Sequence, residues 1–297
     1  MNTVDSIISF RRHLKRRNYS RYTVRDYMST LKVFALWLDV PVEEVDHKKI
    51  VQFVDYLLDK GLNPKTINCY LYSISSFYEF LEDEQGVQNP VKTGDALRQS
   101  KPLSRFLKDE QVDLLFGKIT GKRDRAMFYL MLRCGLRVEE VAHLEFDALN
   151  LKKGRIMVRG GKGAKDRMVY ISTDAGHALS DYLAERSDSK VKAVFLVQKG
   201  VCKGMALSVR GIQKRMEYYA GKCGIKVSCH QLRHTMATQL LNADADITVI
   251  QDLLGHNRIG TTQRYCQISN PKVERDYQKA MEAVIKRTSF TPDPGES

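Results

Sequence analysis

Residues 85–105, QGVQNPVKTGDALRQSKPLSR, interrupt a chain that is otherwise strongly periodic. Pro90, Gly94 and Pro102 fall among polar and basic residues here, and no apolar spacing survives. Such a stretch cannot continue a helix or a strand and is read as a linker. It divides the 297 residues into two parts, each long enough to bury a core of its own. Before it, every pattern is helical. Val4, Ile7, Ile8 and Leu14 give one apolar face with arginines opposite. Ser20 is placed to cap a second helix carrying Val24, Tyr27, Met28, Leu31, Phe34, Ala35 and Leu38. A third helix is expected near 47–60, stopping at Gly61. A fourth, after Asn63-Pro64, carries Ile67, Tyr70, Leu71, Ile74, Phe77, Tyr78 and Leu81. Four helices with short connections make a compact bundle over residues 1–84.

After the linker, helices are expected near 107–117 and 121–146, and then the period changes. GRIMVRG and DRMVYIS carry β-branched residues in alternation or in runs, with GGKGAK between them, the pattern of a β-hairpin with a glycine-rich turn. AVFLVQKG is a candidate third strand. Helical spacing resumes at about 174–185, 207–223, 229–242, 246–253 and 271–287, and the tail TPDPGES is expected to fray. The fold class is therefore mainly α with a small antiparallel sheet. The domains are a helical bundle over 1–84, a linker over 85–105, a second domain over 106–287 and a flexible tail over 288–297.

A net charge of +13 points to a polyanionic partner, because each neutralised phosphate releases counterions. Arg11, Arg12, Lys15, Arg16, Arg17, Arg21 and Arg25 face only Asp5 across the first 25 residues. The six cysteines form no CxxC pair, which disfavours a zinc ribbon or a redox motif and suits free thiols in a reducing compartment. The N-terminus places its apolar residues before its charges, the reverse of a signal peptide, and no apolar run reaches the length of a membrane span. A soluble, cytoplasmic protein is expected.

Four segments carry chemistry. In RCGLRVEEVAHLEF, Arg137 opens a helix just after Gly135, where a guanidinium beside exposed N–H groups makes an anion site; an ion pair with Glu140 is the plainer reading, and both can hold. In VRGGKGAKDRMVY, Lys162 sits at a hairpin tip, while the phosphate-loop pattern is absent, so nucleotide hydrolysis is not supported. In CHQLRHTMATQL, His230 and Arg233 lie three apart and project together, which suits phosphate contact. His234 stands four after His230, the spacing of zinc-binding histidines. Position 231 is Gln, however, so the general base of that motif is missing, and His234 is read as a core histidine. In LLGHNRIGTTQRYCQ, His256 follows Gly255 on a turn and Tyr265 comes nine residues later.

CGLRVEEV, the GGKGAKDR hairpin, HQLRHTMAT and LLGHNRIGTTQRY, in that order over residues 107–285, resemble the tyrosine recombinase (phage integrase) family in its Xer-like branch. The helical N-terminal part resembles that family's SAM-like core-binding domain. Cys134 departs from a frequent Thr, and Cys266-Gln267 from a frequent Thr-His. The resemblance implies site-specific DNA recombination through a 3′-phosphotyrosyl intermediate and a Holliday junction. Tyr265 would be the nucleophile and His230 its base. Arg137, Arg233 and His256 would grip the phosphate, and Lys162 would protonate the leaving 5′-oxygen. Neither metal, ATP nor another cofactor is called for. The basic cluster Arg11, Arg12, Lys15, Arg16, Arg21 and Arg25, with Lys165, is expected to contact DNA.

The implied partner is double-stranded DNA with inverted-repeat core sites, bound by a dimer at one site and a tetramer in the synaptic complex, in a bacterial or phage-like nucleoid. The two domains would clamp the duplex, and the C-terminal helix would dock either on a neighbouring protomer or on its own domain. A separate arm-binding domain before residues 1–85 is not expected, which suits simple core sites. Three other readings compete. A type IB topoisomerase would share the chemistry, a silent DNA-binding regulator would have lost a chemical position, and a zinc hydrolase fails at Gln231.

Overall fold

The computed structural model describes residues 3–99, 105–159, 166–186 and 190–255, together with Tyr277 and Met281. The chain divides into two compact units, Met1–Lys101 and Pro102–Ser297. The first contains α1 (Thr3–Arg16), α2 (Arg21–Trp37), α3 (His47–Asp59) and α4 (Pro64–Gln85). Its helix starts are written locally in the sequence. The side chains of Ser20, Asp46 and Asn63 accept hydrogen bonds from the N–H of Thr23, Lys49 and Thr66 at 3.1, 2.8 and 3.0 Å. Each satisfies a donor that the first turn leaves unpaired. Pro64 fits at the first helical position because its missing N–H is not needed there. Gly86 ends α4 in the left-handed region at φ +70°.

The bundle core is aromatic. Phe10 lies 5.7 Å from Tyr27 and 5.5 Å from Phe77, between ring centroids, and Phe34 lies 4.9 Å from Phe53. Buried Tyr78 keeps its hydroxyl satisfied by donating to the Val42 carbonyl at 2.9 Å. Residues beyond Gly86 follow the same unit. Val87, Val91 and Leu97 pack against its core. Asn68 both donates to the Leu97 carbonyl and accepts from the Leu97 N–H, each at 2.9 Å. These contacts order a stretch whose sequence shows no period, because side-chain amides replace the missing regular backbone pairing.

The second unit is built around α6 (Lys122–Arg133), with α5 (Asp109–Lys118) before it. Ala126, Met127, Phe128, Leu130, Met131 and Leu132 are all buried, so α6 is covered on nearly every side and packs on α8 (Thr173–Glu185) and α10 (Cys229–Asn242). The helix expected over 121–146 is in fact two. Gly135 turns left-handed at φ +66°, and the Leu136 N–H closes back on the Leu130 carbonyl at 3.2 Å. This ends α6, and α7 (Val138–Ala142) begins afresh at Arg137. A side chain at 135 would also press within 3.1 Å of Met236 and 3.2 Å of Leu254.

β2 (Arg155–Val158) and β3 (Arg167–Tyr170) form the expected antiparallel hairpin, in which Ile156 faces Val169 and Val158 faces Arg167. The third strand is β1 (Leu149–Asn150), pairing with β2 from the other side. Residues 193–200 were the sequence candidate for it. They make only isolated bridges, Glu145 with Ala193 and Leu196 with Ala206, because β1 already occupies the free edge of β2. α9 (Val209–Cys223) and α11 (Ile247–Leu254) complete the described elements. Of the expected helix 271–287, only Tyr277 and Met281 are described, both helical, with Tyr277 exposed. Among the described residues, no helix is long and apolar enough to cross a membrane.

Phe10→Ala leaves a cavity between three aromatic rings and is expected to destabilise the first unit by about 3–5 kcal/mol. Trp37, the chain's single tryptophan, packs on Phe53 in this unit. Its fluorescence during urea unfolding of the full chain reads the loss.

Candidate active site

Three arginines from three separate elements meet at the C-terminal end of α11. Arg233 lies in the second turn of α10 and is 1% exposed. Its guanidinium donates to the carbonyls of Gly135 and Leu254. Arg137 stands at the N-cap of α7 and donates to the Leu254 carbonyl at 3.3 Å and the Gly255 carbonyl at 3.5 Å. Arg167, at the start of β3, donates from Nε to the Leu253 carbonyl at 2.9 Å. The last carbonyls of a helix lack intrahelical partners and carry the negative end of its dipole, so they accept guanidinium donors readily. Gly255, at φ +58°, gives the chain a left-handed exit from α11. A Cβ there would lie 2.9 Å from Arg167 Cδ, so the close approach itself requires glycine.

Glu140 holds the cluster from the other side. Its Oε1 accepts from Arg137 Nη1 and from Arg167 Nη1, each at 2.8 Å. Its Oε2 accepts from the Arg137 backbone N–H and from Arg167 Nη2, each at 2.7 Å. Burial raises the carboxyl's pKa, but the bonds and charges of Arg167 and Arg137 overcome this and hold it down at about 2. Three guanidinia against one carboxylate leave a surplus of two positive charges. Arg137 is the partly open member, with its side chain 25% exposed against 9% for Arg167. Such an arrangement is suited to an anion with several oxygens, a phosphate above all.

His230, one turn before Arg233, is exposed, and the capping box of Ser228 and Gln231 fixes the start of its helix. Desolvation first, then the charges of Arg233 and Arg137, lower its pKa from the ordinary imidazole value. The ring is therefore neutral at pH 7 and able to accept a proton. His234 is half-buried, with its ring centroid 4.3 Å from that of His230. Desolvation, His230 and Arg233 lower it to about 4. Both histidines line a cleft with Arg105 and Lys226. Among the described residues, no group of three His, Cys, Asp or Glu side chains is placed to hold a metal ion.

Of the sequence candidates, Arg137, His230 and Arg233 are thus brought together. Lys162, Lys165, His256 and Tyr265 lie outside the described residues. Sequence reasoning missed Arg167. A signal for it existed: the two-residue period of β3 puts Arg167 on the same face as buried Val169, an inward position where arginine is out of place without a partner. In the first unit, Arg11, Lys15, Arg21 and Arg25 line one groove between α1 and α2, together with Lys32, Tyr19 and Tyr22. Arg12 and Arg16 are exposed on α1 and do not line it.

Comparison with known proteins gives one consistent picture. Residues 105–272 match the model of the phage integrase family, and residues 7–85 match that of the phage integrase N-terminal SAM-like domain. The chain is 32% identical to the tyrosine recombinase XerA of Thermococcus kodakarensis, over 92% of this chain and 94% of that one. It is also 32% identical to the tyrosine recombinase XerC of Thermodesulfovibrio yellowstonii, over 94% and 97%. Among solved structures, a lambda integrase dimer bound to a COC′ core site has a similar fold, with a TM-score of 0.75 at 17% identity over 89% of this chain and 95% of that one. XerH recombinase bound to a palindromic difH substrate gives 0.73 at 21% identity, over 88% and 80%.

The acid response of the second unit follows from these groups. His234 titrates near 4 when folded and near the ordinary 6.5 when unfolded, so the unfolded chain binds more protons between these values. Stability is therefore lost as pH falls from 6.5 towards 4. Glu140 contributes stability above its ordinary 4.5 that is lost as pH falls towards 2. Urea midpoints against pH are expected to flatten over the upper window in His234→Gln and over the lower one in Glu140→Gln.

Proposed function

Because the chain belongs to the phage integrase family of tyrosine recombinases, enzymes of site-specific DNA recombination, we propose that it cleaves and rejoins DNA strands through a covalent link to Tyr265. The phenolic oxygen of Tyr265 attacks the scissile phosphorus, a phosphorus–oxygen bond to the tyrosine forms, and the bond to the 5′-oxygen breaks. A 3′-phosphotyrosyl ester and a 5′-hydroxyl result. The ester keeps the energy of the broken bond, so a second 5′-hydroxyl can displace the tyrosine without ATP. Two such exchanges pass through a Holliday junction.

One observation carries the reading: Arg137 and Arg233, which lie 96 residues apart by their numbers, share the Leu254 carbonyl, two residues before His256 in the sequence. That convergence supports a phosphate seat in which both guanidinia, joined by His256, stabilise the charge of a pentacoordinate transition state. A tyrosine hydroxyl has an ordinary pKa of about 10 and needs a base near neutrality. Neutral His230, beside Arg233, suits that task. Lys162, in the segment between β2 and β3, protonates the leaving 5′-oxygen.

The partner is double-stranded DNA with inverted-repeat core sites, bound by a dimer on one site and a tetramer in synapsis. The lambda integrase and XerH structures are themselves DNA complexes, which supports DNA as the partner. The bundle over 1–84 binds the core site through the groove of Arg11, Lys15, Arg21 and Arg25, with Arg12, Arg16 and Lys165 adding phosphate contacts. Residues 85–105 join it to the catalytic domain over 106–287.

Tyr265→Phe is expected to retain DNA binding and to form no covalent complex on a nicked suicide duplex carrying the core site. Adduct trapped with that variant removes Tyr265 as the nucleophile. Arg137→Lys keeps the charge but loses the planar fork, and is expected to slow cleavage roughly 100-fold or more in single-turnover assays while duplex affinity changes little.

A further inference from the structure

We infer that Arg167 is a positioning residue of the recombinase reaction: it cancels the charge of Glu140 so that this carboxylate orients Arg137 without neutralising it, and it fixes the end of α11 against which Arg137 and Arg233 are set. The inference rests on the proposed function. Each oxygen of Glu140 accepts one bond from Arg137 and one from Arg167. The carboxylate is thus divided evenly between two arginines of different exposure. Arg167 is nearly closed to solvent, so it is not placed to touch a substrate. Its fork takes both oxygens of Glu140 side by side, the geometry a guanidinium supplies and an ammonium does not.

With Arg167 in place, the Glu140–Arg167 pair is neutral and the guanidinium of Arg137 keeps a full charge for an incoming phosphate. Without it, the whole carboxylate charge faces Arg137 and competes with the phosphate for the same donors. The second bond of Arg167, from Nε to the Leu253 carbonyl, ties β3 to α11 at the residue before the carbonyl that Arg137 and Arg233 share. Its aliphatic stem occupies the space left by the missing Cβ of Gly255. The same side chain therefore sets both the charge of the seat and the position of the helix end on which the seat is built.

Single-turnover adduct formation on a nicked suicide duplex, with duplex affinity and thermal melting measured alongside, tests this. Arg167→Met is expected to form adduct ~100-fold more slowly, with duplex affinity within about threefold of the parent. Adding Glu140→Gln to Arg167→Met removes the uncompensated charge and is expected to restore the rate at least ~10-fold, which a purely structural role does not predict. Arg167→Lys, which keeps the charge and loses the fork, is expected to be ~10-fold slow at parental melting temperature and serves as the test if Arg167→Met does not fold. The inference is overturned if Arg167→Met, or Arg167→Lys in its place, cleaves within about threefold of the parent. It is also overturned if the double variant is no faster than a folded Arg167→Met. If the parent chain itself forms no adduct on a duplex that it binds, the proposed function fails first and this inference falls with it.

Discussion

The Glu140 carboxylate is the point through which the second unit assembles its arginines. A charge this deeply buried is costly unless paired and fully hydrogen-bonded, and Glu140 accepts four bonds from two guanidinia and one backbone N–H. That demand acts in three places at once. It sets the start of α7, since Arg137 is both N-cap and ion-pair partner. It holds β3 against α7 through Arg167. Through the same two arginines it also holds the end of α11, whose carbonyls take further guanidinium donors from each. Removing one donor set would leave this carboxylate only half-satisfied, so each arginine supports the placement of the other.

α11 shows why polar bonds matter here. Its apolar anchorage is a small cluster in which Ile250 and Leu254 meet Met236, Ala237 and Leu241 of α10. The much larger core around α6 does not include α11. A short helix held by a few buried side chains gains its exact placement from directional bonds at its C-terminus. Gly135 and Gly255, both left-handed, let the two chain segments meet there, one ending α6 and the other leaving α11. On the proposed function, the helix end that bears the guanidinia also leads into the sequence carrying His256 and Tyr265, so packing and chemistry share one support.

Much of the architecture is legible residue by residue. The caps at Ser20, Asp46 and Asn63, the left-handed glycine at 86 and the period change at GRIMVRG and DRMVYIS are short-range signals, and elements begin, end or alternate there. Reading failed where short-range signals conflict with contacts from afar. Helical spacing runs through 121–146, yet Gly135 breaks it to fit Met236 and Leu254. AVFLVQKG has strand composition, yet the edge of β2 is taken by Leu149 and Asn150. Residues 86–97 have no period, yet Asn68 and the bundle core order them.

By itself, the sequence determined the two-part division, the helical bundle, the hairpin and the candidacy of Arg137, His230 and Arg233, because these depend on side-chain type and on spacing within one or two turns. Only the tertiary structure decided that Arg167 shares Glu140 with Arg137, and that the three arginines close on one helix end. The bond between Arg137 and Leu254 spans 117 residues of chain, and that between Arg233 and Gly135 spans 98. No local pattern encodes such a meeting. It follows from how α6, α7, α10, α11 and β3 pack, and from a buried carboxylate whose charge must be balanced where that packing places it.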